Sequence, residues 1–566
     1  MGLKSQAASA KQLFTILDWL PGYKARWLRF DLLAALSVWA LLVPQGIAYS
    51  SIAGVPAQYG LYAALGALVG YGIFGTAGQV GTGPSAAIAA VSASVVTLWA
   101  VAGSSEWVAY TATLAVSAGV IYVLLGVLKM GWISHFLSGA VLAGFVFGFG
   151  FGLIVDQAPK ILGLPKEHGS YFQVLVGVVK DLADTSLPTL AVGAASIAVL
   201  VAFRMFLPKL PRTIIVVILG IVVSSLLSLE DHGVKIVGEI PTGLPSFTVP
   251  EFPPVTIAEM ILGSFAVIFI GYSESLAAAK NQARKHGYEI DASQEMVGQG
   301  MANVAAGLVG GYAVEGSLSK TTVADMAGQK TQLASFLTAG LILVTILLFT
   351  GLFTTLPDAV LGAVVVDAGI SLIKFKEFRY YRLSARDFAA FLATALAVFF
   401  VGVLVGVIAG VTIALLLLIV SASKSPTRQM AYDRKRDVYV NLDNHPEAEL
   451  VPGVLVVSID GPLFFADADN FRDSTMEFVR DTQPHSVVIY LGVATTFDLD
   501  GVRVLSQLAT ELHGKDVTLY LAKVGMDNLE LLRKTGALDV ISADNVHRTV
   551  REAVAHATSA RGSRLR

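Results

Sequence analysis

Gly81-Thr82-Gly83-Pro84-Ser85-Ala86-Ala87 interrupts a series of long apolar segments, and Gly316-Ser317-Leu318-Ser319-Lys320-Thr321-Thr322 interrupts it again in the second half of the chain. Both stretches are small and polar, and both lead into apolar runs that are short for a full membrane crossing. Each reads as a helix that starts partway across a bilayer. Outward from them, apolar segments near the length of about 20 residues that a spanning helix needs recur along the chain. They fall at 31–50, 60–76, 84–102, 107–128, 133–155, 187–206 and 213–229, then at 257–280, 294–311, 317–327, 331–353, 356–374, 387–402 and 403–422. Phe388–Ser423 carries no charge and is too long for one span, with Gly402, Gly406 and Gly410 as candidate breaks.

Seven spans on each side of a long loop at 230–256 give the two halves opposite orientations, which is the arithmetic of an inverted repeat. The two interrupted segments then occupy corresponding places. Arg204, Lys209 and Arg212 follow the sixth span, and Lys280, Arg284 and Lys285 follow the eighth. Lys374, Lys376, Arg379, Arg382 and Arg386 follow the twelfth. Basic loops stay in the cytoplasm, and these three share a side with the basic N-terminus. The 230–256 loop, with Glu230, Asp231, Glu239 and Glu251, lies opposite. Both termini are therefore expected in the cytoplasm of a multi-pass cell-membrane protein.

Composition agrees. Of 566 residues, 54% are hydrophobic and only 14% charged, against about 25% charged in soluble proteins; the mean hydropathy is +0.67. A net charge of −2 gives nucleic acid no basic surface to bind. No Cys is present, which excludes disulfides, thiolate metal sites and Cys nucleophiles. Nine scattered His show no H-E-x-x-H spacing, and no G-x-x-x-x-G-K-S loop for ATP is present. The chain reads as neither enzyme nor ATP-driven pump, and no cofactor is expected beyond a coupling ion, H⁺ or Na⁺.

Residues 1–30 read as a cytoplasmic segment rather than a cleaved signal, with Leu13, Phe14, Ile16 and Leu17 on the apolar side of a surface helix. A transport domain follows over 31–424, then a linker at 425–435. Strands at 454–459, 486–491 and 517–521 and amphipathic helices near 468–482, 501–513, 527–536 and 546–557 make 436–556 a soluble α/β domain. A tail at 557–566 ends the chain.

Two helix N-termini that meet from opposite leaflets offer unpaired N–H groups and roughly half a positive charge each, a setting for an anion. Ser85, Ser317 and Ser319 can add hydroxyl donors, and Pro84 suits a first helical turn. Lys320, just inside the second segment, adds a cation that costs about 3 kcal/mol or more at mid-membrane unless paired or hydrated. Glu274 lies inside the eighth span, where a carboxyl can take up and release a proton. Glu315 precedes the second segment and could pair with Lys320. Asn303 and Asp325 are unusual at their depth, whereas Asp156 and Asp367 sit near span ends, where solvent is the expected partner. Pro44 breaks a backbone hydrogen bond where the first span ends, with Gln45 and Tyr49 beside it.

The chain resembles the sulfate permease (SulP) family of anion transporters over essentially its whole length. The carriers are Pro44-Gln45-Gly46-Ile47-Ala48-Tyr49, Val55-Pro56-Ala57-Gln58-Tyr59-Gly60-Leu61-Tyr62, Phe74-Gly75-Thr76 and Gly83-Pro84-Ser85-Ala86. In the second half they are Glu274-Ser275, Gly287-Tyr288, Gln294-Glu295, Gly300, Asn303 and Gly316–Thr321. The resemblance implies a polytopic α-helical fold of about fourteen spans in a seven-plus-seven inverted repeat. A core domain (spans 1–4 and 8–11) would move against a gate domain (spans 5–7 and 12–14), ahead of a cytoplasmic STAS domain. It implies homodimers and an anion between the starts of spans 3 and 10. Substrate-binding positions then fall on Gln45, Tyr49, Pro84, Ser85, Ala86, Ser317, Leu318, Ser319 and Lys320, with proton or cation coupling on Glu274 and Glu315.

The departures are specific. Ala77-Gly78 follow Phe-Gly-Thr where relatives often carry Ser and a cation, and Lys320 stands where Arg is common. Glu315 beside an anion site could bring a proton, repel divalent anions or pair with Lys320. In the STAS loop, Asp498-Leu499-Asp500-Gly501 leaves no hydroxyl to phosphorylate at 499, so Asp498 and Asp500 are the candidate regulatory residues, Asp500 as a fixed charge at a helix start. The STAS domain is expected to bind a cytoplasmic protein or a nucleotide. The function expected is secondary active transport of a small inorganic anion, sulfate or bicarbonate, by proton-coupled symport and alternating access. The competing readings are sodium-coupled bicarbonate transport, dicarboxylate transport, and a membrane-anchored STAS scaffold.

Overall fold

The computed structural model describes residues 14–564, except 137, 167–168, 208–209, 423–425 and 495–496. The expectations on Leu13 and Lys209, and the expected end of the transport domain at residue 424, fall outside these residues. Two compact units divide after Ala414.

The first unit is helical throughout, apart from one pair of two-residue strands. Its helices are α1 (Leu28–Ala53), α2 (Ala57–Phe74), α3 (Ala86–Val96), α4 (Ser105–Val127), α5 (Gly139–Leu162), α6 (Tyr171–Lys180), α7 (Leu187–Phe206) and α8 (Arg212–Leu227). After the long loop come α9 (Ile257–His286), α10 (Ala292–Leu308), α11 (Leu318–Met326), α12 (Leu333–Val344), α13 (Asp358–Leu372), α14 (Phe375–Tyr381), α15 (Ala385–Phe400) and α16 (Val403–Ala422), within which the division at Ala414 falls. Setting aside the short amphipathic α6 and α14, every expected span has its helix in order. Six of the described helices are long and apolar enough to cross a membrane. Leu98, Phe206, Leu226, Leu348 and Leu383 are each at least 70% exposed. On a water-facing surface such a set would be an aggregation hazard, whereas lipid covers it without cost.

The uncharged stretch divides at Gly402, whose φ of +141° lies where a side chain is strained. At the start of the chain, the described part of the lead-in holds a helical turn at Ile16–Trp19 and docks on the end of α2. There the Thr15 hydroxyl donates to Gly75 O at 2.8 Å, and the Phe14 and Phe74 rings pack tilted with centroids 4.9 Å apart. Pro44 does not end the first span but sits inside α1, which runs on to Gly54. The missing N–H frees the Ala40 carbonyl without breaking the helix.

Two bundles make up this unit. In one, α10 packs on α2 and α4, and α12 packs on α1 and α2. In the other, α13 and α15 pack on α5, and α13 packs on α7. Glycines set the helix spacing in the first bundle. A Cβ at Gly60 would stand 1.9 Å from Gly46 O across the α1–α2 contact. Neither backbone can give way alone, so Gly60→Val should cost at least the 1–3 kcal/mol typical of overpacking. The check is a fall in the thermal midpoint of the detergent-purified chain, read by fluorescence size exclusion.

The second unit holds a six-stranded sheet of β3 (Thr427–Asp433), β4 (Val438–Asn441), β5 (Val454–Ile459), β6 (Ser486–Tyr490), β7 (Thr518–Ala522) and β8 (Val546–His547), ordered β4-β3-β5-β6-β7-β8; β1 (Thr82–Gly83) and β2 (Glu315–Gly316) belong to the first unit. Strands β5 to β8 are parallel, and β3 is antiparallel to both β4 and β5. Alternation along β5 sends Leu455, Val457 and Ile459 to one face, against α17 (Ala468–Thr482), α18 (Leu499–His513), α19 (Met526–Lys534) and α20 (Ala537–Ile541). Val454 and Val456 face α21 (Val550–Arg564). Two boundaries differ from expectation. Residues 427–433 are a sheet strand where a linker was expected, because backbone pairing along β5 orders a sequence of mixed polarity. Residues 546–547 pair with β7 before α21, which runs through most of the expected tail.

Candidate functional site

The interrupted segments meet. Thr82–Gly83 forms β1 and Glu315–Gly316 forms β2, an antiparallel pair with Thr82 opposite Gly316 and Gly83 opposite Glu315. Each strand runs directly into a short helix, β1 into α3 and β2 into α11. Ser85 caps α3 by accepting from Ile88 N at 3.3 Å, and Ser317 caps α11 by accepting from Lys320 N at 3.4 Å. The first N–H groups of each helix, at Ala86–Ala87 and Leu318–Ser319, have no intrahelical acceptor. The strand pair therefore brings two electropositive helix ends together inside the unit.

Neighbouring side chains hold the crossing. Gly316 N donates to Ser275 Oγ at 2.8 Å, and Gly81 N to Thr321 Oγ1 at 3.1 Å. Asn303 takes Val314 N on its Oδ1 and returns a bond from Nδ2 to Val314 O, each 2.9 Å. Asn303 thus satisfies unwound backbone, a structural task that explains its depth. A Cβ on Gly81 would stand 2.8 Å from Lys320 Cβ, so only glycine allows this approach.

Lys320 is 1% exposed. Its Nζ donates to Pro84 O at 2.7 Å, tying the α11 cation to the start of α3. The expected Glu315–Lys320 pair is absent: among the described residues Lys320 makes no direct ion pair. Glu315 is fully buried and accepts instead from the Ser85 hydroxyl. Its carboxyl also lies within hydrogen-bonding reach of that of Glu274. The backbone explains this. Opposite Gly83 in the strand pair, Glu315 points toward α9, while Lys320, a turn into α11, reaches back over Pro84.

Tyr49 and Gln45, on α1, are buried, and the Tyr49 hydroxyl lies within Coulombic reach of Glu274 and Glu315. Pro84 and Ala86 are buried, Ser85 and Glu274 half-buried, and Leu318 and Ser319 exposed. The Ser319 and Ser317 hydroxyls are 2.9 Å apart. Ser85, Pro84, Glu315, Ser317, Ser319 and Lys320 therefore cluster where the two short strands cross, with Leu318 and Ser319 exposed at the start of α11. Chemically the cluster can hold a small anion on helix N–H groups, serine hydroxyls and one cation, and it can hold protons on two carboxyls.

Sequence reasoning misjudged or missed other buried charges. Asp367 is not in solvent: Arg204 and Arg212 both pair with it, Arg212 at 3.1 Å, joining α7, α8 and α13. Asp156 is paired with Lys166 at 2.7 Å, and Asp325 with Lys285 at 2.5 Å and His286 at 2.8 Å. Asp31, fully buried, accepts from Lys330 N and Thr331 N. Glu295 takes the Tyr71 hydroxyl at 2.7 Å and the Thr76 hydroxyl at 2.6 Å, which gives Phe74-Gly75-Thr76 and Gln294-Glu295 a shared structural role. Their one sequence signal was acidity within or beside an apolar span.

In the second unit Asp498 caps α18, accepting from Gly501 N at 2.8 Å, and also accepts from Phe465 N at 2.8 Å. Asp500 stands in the first turn and pairs with Arg503 at 2.9 Å.

Residues 28–394 match the family model described as Sulfate permease family, and residues 445–553 match the STAS domain. The probable sulfate transporter MT1781 of Mycobacterium tuberculosis is 32% identical over 553 residues, 95% of this chain and 98% of its own. Sulfate transporter 1.2 of Arabidopsis thaliana is 25% identical, over 96% of this chain and 87% of its own. The murine Slc26a9 anion transporter in its inward-facing state superposes with a TM-score of 0.90 at 25% identity, covering 98% of this chain and 95% of its own. The transmembrane domain of the cyanobacterial bicarbonate transporter BicA shares the fold, with a TM-score of 0.61 at 24% identity over 69% of this chain and 98% of its own. Because the permease match takes in well over half of the sequence and the STAS match follows it, the chain belongs to the sulfate permease family of anion transporters.

Proposed function

We propose that this protein imports sulfate together with protons, by alternating access of one anion site. The observation that carries the reading is the β1–β2 pair, which aims the N-termini of α3 and α11 at one place and brings Lys320 with them. Gln45, Tyr49, Pro84, Ser85, Ala86, Ser317, Leu318, Ser319 and Lys320 line that place, and Glu274 carries the coupling proton. The bundle of α1–α4 and α9–α12 acts as the core, and that of α5–α8 and α13–α16 as the gate. A homodimer in the cell membrane and a cytoplasmic partner of the STAS domain complete the proposal.

Proteoliposomes loaded at neutral pH and placed in acidic, sodium-free medium should accumulate labelled sulfate. Accumulation should collapse when a protonophore and a potassium ionophore remove the gradients. Uptake that requires Na⁺, or that bicarbonate or fumarate outcompetes at equal concentration, would favour the sodium-bicarbonate or dicarboxylate reading instead.

Orientation has its own test, since the natural chain offers no Cys to label. Asp231 and Lys376 are both exposed. In intact cells an impermeant maleimide should label D231C, and it should label K376C only after permeabilisation. The reverse pattern would overturn cytoplasmic termini.

A further inference from the structure

Glu315 has no place in a simple anion cradle. It is fully buried. One carboxyl oxygen accepts from Ser85 Oγ, the cap hydroxyl that an incoming anion would use. The other, Oε2, has no hydrogen-bond donor among the described protein groups, and the carboxyl lies against that of Glu274. Two carboxylates in contact away from water do not both stay ionised; they share a proton.

The groups facing this pair come from every element packed on it. They are Ser85 at the start of α3, bonded to Glu315, and, within Coulombic reach, Tyr49 on α1, Tyr122 on α4 and Lys320 on α11, with the exposed Lys374 acting on Glu274 from a distance. Lys320 is the one cation among them placed inside the site. With both carboxyls ionised the cluster of Lys320, Glu274 and Glu315 is net negative, and with one proton it is neutral. It becomes net positive only when both are protonated. Glu274, half-buried, is the member that water can reach; Glu315 lies behind it.

We infer that Glu315 is a second proton-binding group of the anion site: ionised, it holds Ser85 as a tethered anion that competes with the substrate, and protonated by way of Glu274 it yields the Ser85 hydroxyl to the incoming anion. The inference rests on the proton-coupled reading and adds to it a second proton per loading event. Both protons come from the side on which the anion enters, and both leave the carboxyls when the anion departs. Glu315 thereby ties anion admission to acidity at the anion's own ligand rather than at a remote carboxyl.

The test uses the purified full chain and labelled sulfate, with binding measured at about pH 6 and about pH 8.5. Glu315→Gln removes the competing charge, so the ratio of its affinity to that of the unmodified chain should rise by about tenfold or more between the two pH values. A ratio that stays constant, whether the variant binds better or worse, overturns the role of Glu315. In the unmodified chain, sulfate-induced infrared difference spectra should show two protonated-carboxyl bands. A single band also overturns the inference, and this arm stands if Glu315→Gln fails to fold. If the unmodified chain binds sulfate equally at both pH values, the proton-coupled reading itself fails and takes the inference with it. A pH-sensitive unmodified chain with a constant ratio removes only the second proton.

Discussion

Lys320→Met should lower initial sulfate uptake in proteoliposomes by at least about 100-fold. Methionine keeps an unbranched apolar stem of similar length in the space that the buried lysine fills, so the loss reads the charge more than the packing. Two helix N-termini together offer an anion on the order of 1–4 kcal/mol, and the added cation makes the pocket selective for anions. The Lys320 ammonium also bonds to Pro84 O. Its removal therefore uncouples the start of α3 from α11 as well as deleting the charge. Lys320→Arg keeps the charge but brings a planar fork to a spot shaped for a compact ammonium, so uptake should be reduced yet measurable. Uptake by Lys320→Met close to that of the unmodified chain, at equal reconstituted protein, would remove Lys320 from the anion site.

Glu274→Gln should abolish accumulation driven by a proton gradient. For each coupled proton, one pH unit raises the attainable accumulation ratio about tenfold; the variant should reach a ratio near one at any imposed gradient. Glutamine preserves the shape of the side chain and still offers a donor to Glu315, so α9 should fold as before. Exchange of internal for external sulfate needs no net proton movement and is the control for an intact anion site. Accumulation that still follows the pH gradient in this variant would place coupling on another group.

The spans were legible because lipid demands long apolar segments, and the broken helices were legible because clustered Gly, Pro and Ser leave too little apolar length for a full crossing. Gly402 emerged as the break in the uncharged stretch from backbone conformation, since three glycines offered equal signals. The β1–β2 pairing joins residues more than two hundred positions apart and has two residues per strand, so no local periodicity announces it. Glu315 illustrates the same limit. Sequence spacing suggested Lys320 as its partner, but strand register turns its side chain toward Ser85 and Glu274. Asp367 misled for a related reason. Its position near a span end suggested water, while Arg204 and Arg212 arrive from two other helices to pair with it. In the second unit, β5 to β7 are continuous apolar runs and were plain, whereas β3 carries Arg428, Gln429 and Asp433 and takes strand form from its neighbours.

The position of the anion can be observed directly. Selenate has the shape and charge of sulfate and carries an anomalous scatterer, so diffraction from crystals of the full chain grown with it locates the ion without interpretation of weak density. The account predicts one peak between the N-termini of α3 and α11, within hydrogen-bonding reach of Ser85 or Ser317 and close to Lys320. A peak elsewhere in the membrane unit, with none between these helix ends, would contradict it.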